Sequence, residues 1–372
     1  MKTLLLSLLL FPITAHAAGI VLSSPSDYQV IQRQTAAQGE LTVAGSLLET
    51  DGPVDVEIRL VHDGKAEEWS RLAGSVKGSA FLGKIQLPAG GWYRMEARAT
   101  RDGQVLAEAV TEHFGIGEIF VVAGQSNSAN HGEEKQNTST GQVASFDGQR
   151  WLLASDPQPG ASGTGGSFMP PLGDALATHF KVPIGFIACG IGATSVREWL
   201  PEGSVFPAPP TRTTRVEQRA DAQWTSKGAA FTMLVRRMKQ AGPQGFRAVL
   251  WHQGESDANQ TDSKCTLSGD LYRQYLATII RESRKQSGIE APWFVAQASY
   301  HVPGDESSDD LRSGQAALWK EGIALEGPDT DTLKGDLREA NGKGVHFSSK
   351  GLREHAALWE RKITPWLEQN VK

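Results

Sequence analysis

Cysteine is scarce in this chain: 372 residues carry two, Cys189 and Cys265. Two thiols cannot build a disulfide-stapled scaffold or a thiolate metal centre. In an oxidising compartment they can pair, and two independent buried thiols fit the sequence equally well. An excess of positive charge is missing too, with 37 Lys and Arg against 42 Asp and Glu and a net charge of -5. No basic face offers itself to nucleic acid or to an anionic membrane. No spacing of His with carboxylates makes a convincing metal site.

Long apolar runs are confined to the start. Leu4, Leu5, Leu6, Leu8, Leu9 and Leu10 follow Lys2 and precede Ala15, His16 and Ala17. Residues 1–17 therefore read as a signal peptide with a small-x-small cleavage site. The run is too short to span a bilayer, and nothing later is long and apolar enough to try. No cysteine adjoins the cleavage site, so a lipid anchor is not expected. The expectation is a periplasmic or secreted protein without a membrane segment.

The rest is long enough for two domains. Residues 18–115 read as strands. Glu40 to Leu47 alternates around Leu41 and Val43, and Val54, Val56, Ile58 and Leu60 share one face. Tyr93, Met95 and Ala97 alternate with Trp92, Arg94, Glu96 and Arg98. Turn signals stand at Asp63-Gly64, at Ala89-Gly90-Gly91 and at Asp102-Gly103. A small antiparallel β-sandwich is expected, without a catalytic constellation, and a packing or positioning role is favoured over that of a sugar-binding module.

Residues 116–372 change texture. Apolar runs at Ile119–Ala123, Val182–Cys189, Phe246–Trp251 and Trp293–Ala298, with a weaker one at Trp151–Ala154, alternate with helix-period segments. Leu172, Leu176 and Phe180 share a helical face, as do Phe231, Leu234, Val235 and Met238. Leu271, Tyr275 and Ile279 mark a third, Leu311, Ala316 and Leu318 a fourth. A last helix runs from Ser349 as N-cap through Leu352, Ala356 and Trp359. Such alternation predicts an α/β domain with a parallel sheet covered on both faces. The stretches 158–166 and 202–214 read as long loops, which in compact domains are often functional.

Three strand ends carry unusual polar residues, where open parallel sheets bind ligands. The first leads into Gly124, Gln125, Ser126 and Asn127, the second into Gly190 to Ser195, and the third into His252, Gln253, Gly254, Glu255, Ser256 and Asp257. Together they offer a hydroxyl, a backbone N–H and a side-chain amide, the parts an ester hydrolase needs around a tetrahedral oxyanion.

The runs GEIFVVAGQSN (117–127), GIGATSVREWL (190–200), WHQGESD (251–257) and VHFSSKGLREHAALW (345–359) resemble, in order, the four blocks of the SGNH hydrolase superfamily. Within it they resemble the sialate O-acetylesterase and acetylxylan esterase branch. The resemblance implies a three-layer, flavodoxin-like hydrolase domain. It implies Ser126 as nucleophile and His346 as general base. The N–H groups of Ser126 and Gly192, with the side-chain amide of Gln253, would form the oxyanion hole. It implies removal of O-acetyl groups from an acetylated carbohydrate through an acyl-enzyme, with no cofactor. The oligomeric state is not legible. Alternatives are a polysaccharide O-acetyltransferase on the same scaffold and a carbohydrate-binding protein with a degenerate site.

The branch's acid, an Asp three residues before the His, is replaced by Lys343, which has no acceptor for the imidazole N–H. Glu255, on the loop beside Gln253, is the favoured substitute. Asp336, Asp257 and a backbone carbonyl are the alternatives. His252 is expected to turn away from the site, His301 either to line the pocket or to sit on the surface, and His131 to be exposed. Trp199 and Trp224 are weighed as sugar-stacking rings against core residues.

Overall fold

The computed structural model describes residues 18–372 apart from positions 51 and 63. The leader expected over residues 1–17 lies outside the described residues, as does Asp63 of one expected turn. Among the described residues no helix is long and apolar enough to cross a membrane.

The first strands form two sheets. Gly19–Ser24, Gln38–Leu48, Ala80–Pro88 and Gly74–Lys77 pair antiparallel in that order. Asp55–His62 pairs with Gly90–Arg101, which pairs in turn with the start of Gln104–Gly124. Period-two alternation sends Leu41, Val43 and Leu47 of one sheet and Val56, Ile58, Met95 and Ala97 of the other into a common core. At the expected hairpin, Asp102 and Gly103 are both left-handed, φ 48° and 80°. A turn of that kind matches the twist of its strands.

Gln104–Gly124 is 21 residues long and belongs to both halves of the molecule. The domain boundary expected at 115/116 falls inside it. Its far end pairs parallel with Ile184–Ala188 on one side and Ala248–His252 on the other. The sheet continues outward through Val143–Phe146 to the antiparallel edge Trp151–Leu153, and on the other side through Trp293–Gln297 to Leu325–Asp329.

Alternation along these strands feeds two cores. Ile119, Val121, Ala123, Val249 and Trp251 face Phe231, Leu234, Tyr272, Leu276 and Leu318. Phe120, Val122 and Leu250 face Leu172, Leu176, Ala356 and Trp359. Helices thus cover both faces of a parallel sheet. The helix Gly269–Ser287 buries Tyr272, Leu276, Ile279 and Ile280. Its buried stripe is rotated by one residue from the Leu271–Tyr275 face expected, leaving those two half-buried. The last helix begins one residue earlier than expected, with Ser348 rather than Ser349 as the cap, accepting from Gly351 N–H.

Where the shared strand passes from one half to the other it carries a charge. Glu118 is fully buried, and its carboxylate accepts from Arg33 Nε at 2.6 Å, Arg247 Nε at 2.6 Å and Gln32 Nε2 at 2.8 Å. Removing that carboxylate strands a buried guanidinium, since Arg33 is 4 % exposed. Glu118→Ala should cost roughly 3–5 kcal/mol in urea unfolding. A loss below about 1 kcal/mol would show that both arginines reach water without it.

Candidate active site

The shared strand ends at Gly124, where φ is +127° and a Cβ would stand 2.0 Å from the carbonyl oxygen of His252. Only glycine turns here beside the next strand. Gln125 follows, and Ser126 opens a 3₁₀ turn, Ser126–Ser128. The strand Ile184–Ala188 delivers Gly190 to Ala193, and Ala248–His252 delivers Gln253 to Asp257. His346 stands just before the last helix. These ends surround a cavity of about 820 Å³ lined by Ser126, Gly192, Glu255 and His346. The two long loops reach it as well, one through Ser162 and the other through Arg212 and Thr214, beside Arg215.

The carboxylate on His346 is not any of the three acids expected. Glu339 Oε1 lies 2.7 Å from His346 Nδ1 and also accepts from the His346 backbone N–H at 3.1 Å. Glu339 N–H donates to His346 O at 2.9 Å. The two residues face each other across a tight loop whose Ala340, Asn341 and Gly342 are all left-handed, φ 52°, 55° and 84°. Gly344 makes room: a Cβ there would stand 2.2 Å from Glu339 Cγ. The available signal was the Asn-Gly-Lys-Gly run, a turn that returns the chain on itself.

Glu255 instead accepts from Asn127 Nδ2 at 2.8 Å, tying the serine turn to its own loop. Asp257 is buried and accepts from Ser195 Oγ, Val196 N–H, Gln253 Nε2 and Arg197 Nη2. Asp336 is on the surface, bonded to Lys350 Nζ at 2.7 Å. Gly192 lines the cavity, and its N–H donates to Ser162 Oγ at 2.6 Å. Gln253 does not line it. Its side chain is fully buried, and its Nε2 donates to Asp257 Oδ2 at 2.7 Å, Thr194 O at 3.1 Å and Gln125 Oε1 at 3.2 Å.

The other rings fall out as follows. His252 is buried, and Thr330 Oγ1, which donates to Gln297 O, lies 2.8 Å from His252 Nε2. Nε2 is therefore the protonated nitrogen, and burial pulls this imidazole's pKa down. His301 lines the cavity, held between Asp305 Oδ2 at 2.7 Å and Glu255 O at 2.5 Å. His131, expected on the surface, is half-buried in the cavity wall. Its Nε2 lies 3.1 Å from Ser162 Oγ and its ring centre 5.3 Å from that of His346. Burial, then the neighbouring His346, lowers its pKa. Neither tryptophan weighed for stacking lines the cavity. Trp199 is a core ring, edge-on to Trp251 at 5.3 Å. Cys189 and Cys265 are separate buried thiols, and burial pushes Cys189 up to about 12.

Beside the cavity, Glu198 accepts from Ser195 N–H at 2.8 Å as half of a capping box. Burial raises its pKa from 4.5 to about 7. The folded chain keeps this proton longer than the unfolded chain, so the group's contribution to stability is complete below pH 4.5 and is lost as pH rises through about 7. Glu198→Gln retains the acceptor for Ser195 and removes the titration. Its thermal midpoint should change less than that of the parent between pH 5 and 8, and an unchanged pH slope in a melting series would refute the assignment.

Residues 116–362 match the family described as carbohydrate esterase, sialic acid-specific acetylesterase. Among solved structures, the chain is similar to a carbohydrate acetylesterase from Xanthomonas citri, at 17% identity and TM-score 0.51, covering 91% of this chain and 73% of that one. An Arabidopsis thaliana protein matches at 17% identity and TM-score 0.45, over 68% of this chain and 99% of its own. No match is found among curated proteins.

Proposed function

Because this chain belongs to the sialic acid-specific acetylesterase family of carbohydrate esterases, and is thus a carboxylic ester hydrolase, we propose that Ser126 is its nucleophile and an O-acetylated sugar its substrate. The observation that carries the reading is the Glu339–His346 pair, 2.7 Å apart at a cavity that Ser126 also lines. The carboxylate accepts from Nδ1–H, which leaves Nε2 as the base.

In this mechanism Ser126 Oγ attacks the acetyl carbon while His346 takes its proton. The N–H of Ser126 receives the charge that develops on oxygen, joined by that of Gly192 once it exchanges Ser162 Oγ for the substrate oxygen. The sugar hydroxyl leaves with the proton, and water repeats the sequence on the acyl-enzyme. The chain's own residues supply every role, so no cofactor is called for. The parallel sheet with helices on both faces supports the flavodoxin-like SGNH layering for residues 116–372, and the shared core of the first two sheets supports a small β-sandwich for 18–115. Export to the periplasm or beyond rests on the leader-like composition of residues 1–17.

Acetate release from a panel of acetylated glycans tests the substrate class. Ser126→Ala should lower turnover by several orders of magnitude with the fold intact, and a residual rate within about tenfold of the parent would remove Ser126 from the mechanism. Glu339→Gln keeps the size of the side chain but turns an acceptor into a mixed group. It should lower kcat by about 10²–10⁴. If Glu339→Gln hydrolyses within about tenfold of the parent, the ring is held by something else.

A further inference from the structure

A side-chain amide was expected in the oxyanion hole, and Gln253 cannot supply it. Its Nε2 is surrounded by three acceptors, Asp257 Oδ2, Thr194 O and Gln125 Oε1. Reversing the amide would set its oxygen against a carboxylate and a carbonyl. The group is fixed, fully buried and outside the cavity lining.

The amide next to the nucleophile is fixed the opposite way. Gln125 Oε1 accepts from Ser256 N–H at 3.0 Å, Gly254 N–H at 3.3 Å and Gln253 Nε2 at 3.2 Å. Three donors converge on one oxygen, so the oxygen and nitrogen of this amide are assigned by its neighbours. Its Nε2 has no hydrogen-bond partner among the described residues and is not sealed from the cavity, although Gln125 as a whole is 3 % exposed. Gln125 lines the cavity with Ser126. A buried amide with both N–H bonds unspent, one residue from the attacking oxygen, is a donor waiting for an anion.

We propose that Gln125 Nε2, and not Gln253, is the side-chain donor to the oxyanion. This rests on the reading of Ser126 as nucleophile. As the Ser126 Oγ–carbon bond forms, the carbonyl π pair moves onto oxygen and the serine proton passes to His346. Gln125 gives a hydrogen bond to that oxygen and no proton. When the carbonyl re-forms, the sugar oxygen departs with the His346 proton. Gln253 acts one step back: by holding Gln125 Oε1 it keeps the Nε2 end turned to the cavity.

The test uses the full chain with p-nitrophenyl acetate. Gln125→Glu retains an acceptor for Ser256 and Gly254 but loses the cavity N–H, and Gln125→Met loses it without adding charge. Each should lower kcat by about 10²–10³ with KM within about threefold of the parent. Phenylboronic acid, whose serine adduct is a tetrahedral anion, should lose affinity in the same proportion, a change that a loosened loop alone would not track. Hydrolysis within about threefold of the parent by either variant overturns the proposal, as does a fall in kcat with unaltered boronate affinity. If Gln125→Met melts early, Gln125→Glu decides. A fluorophosphonate label on Ser126 of the parent separates the two claims. With labelling and unaffected Gln125 variants, only the Gln125 role fails. Without labelling the nucleophile reading itself fails, and this role with it.

Discussion

The three strand-end loops of the site take their level from one shared strand. Gln104–Gly124 is an antiparallel partner in the first half of the molecule and the central parallel strand in the second. Between these regimes it buries Glu118 against two arginines and a glutamine. A buried ion cluster of this kind is weak evidence for stability but strong for register, because sliding the strand by one residue would strand the charge. With that register set, Val122 lies opposite Ala188 and Gly124 opposite His252. The Gly192 loop and the Gln253 loop therefore leave the sheet at the level of Ser126. The position of the serine follows from a carboxylate eight residues upstream.

A second buried carboxylate orders the loops themselves. Asp257 gathers donors from Ser195, Val196, Arg197 and Gln253, and Arg197 goes on to hold Cys265 O, Ala208 O and Pro209 O. Both members of the Asp257–Arg197 pair are inaccessible to solvent. Their desolvation is offset only because nearly every donor and acceptor is used. The consequence runs outward in a chain of forced orientations. Asp257 fixes which way Gln253 points, and Gln253 helps to fix Gln125. Polarity at the cavity surface is thus decided by a group that never reaches it.

What was legible in the sequence follows from what each feature needed. The strand ends bearing Ser126, Gly192 and Gln253 were readable because short continuous apolar runs break abruptly into glycine and polar residues, and at Gly124 a φ of +127° is a demand of the backbone. Val143–Phe146 and Leu325–Asp329 went unread. The first is four residues long, and the second is an edge strand carrying Gly327 and Pro328. The stripe of Gly269–Ser287 was displaced by one because Leu271 and Tyr275 are as apolar as Tyr272 and Leu276, and only packing chooses between them. His131 was misplaced for a different reason. Its burial depends on Asn130, whose amide clasps Gln158 O and whose Oδ1 receives Gln158 N–H, docking the 158–166 loop over the ring's neighbourhood. Nothing local to His131 encodes that.

Glu339 was the hardest to see, and its geometry explains why position 343 is free to be lysine. An acid three residues before His346 would reach the ring along the chain. Here the chain instead folds back, so that Glu339 and His346 meet as cross-loop neighbours through two backbone-anchored bonds, Glu339 N–H to His346 O and His346 N–H to Glu339 Oε1. The longer side chain spans the gap and still receives Nδ1. The cost is a run of left-handed residues, and at Ala340 and Asn341 it amounts to about 1–2 kcal/mol each. That strain is held in place from outside the loop. Arg338, just before it, donates to Leu333 O, Thr330 O and Val345 O, and its guanidinium stacks on Tyr300 and Phe347. The ends of the loop are thereby clamped at Arg338 and Val345, and the residues between them have one economical path. It is a path on which residue 343 sits at the turn rather than at the ring, where no acceptor is asked of it.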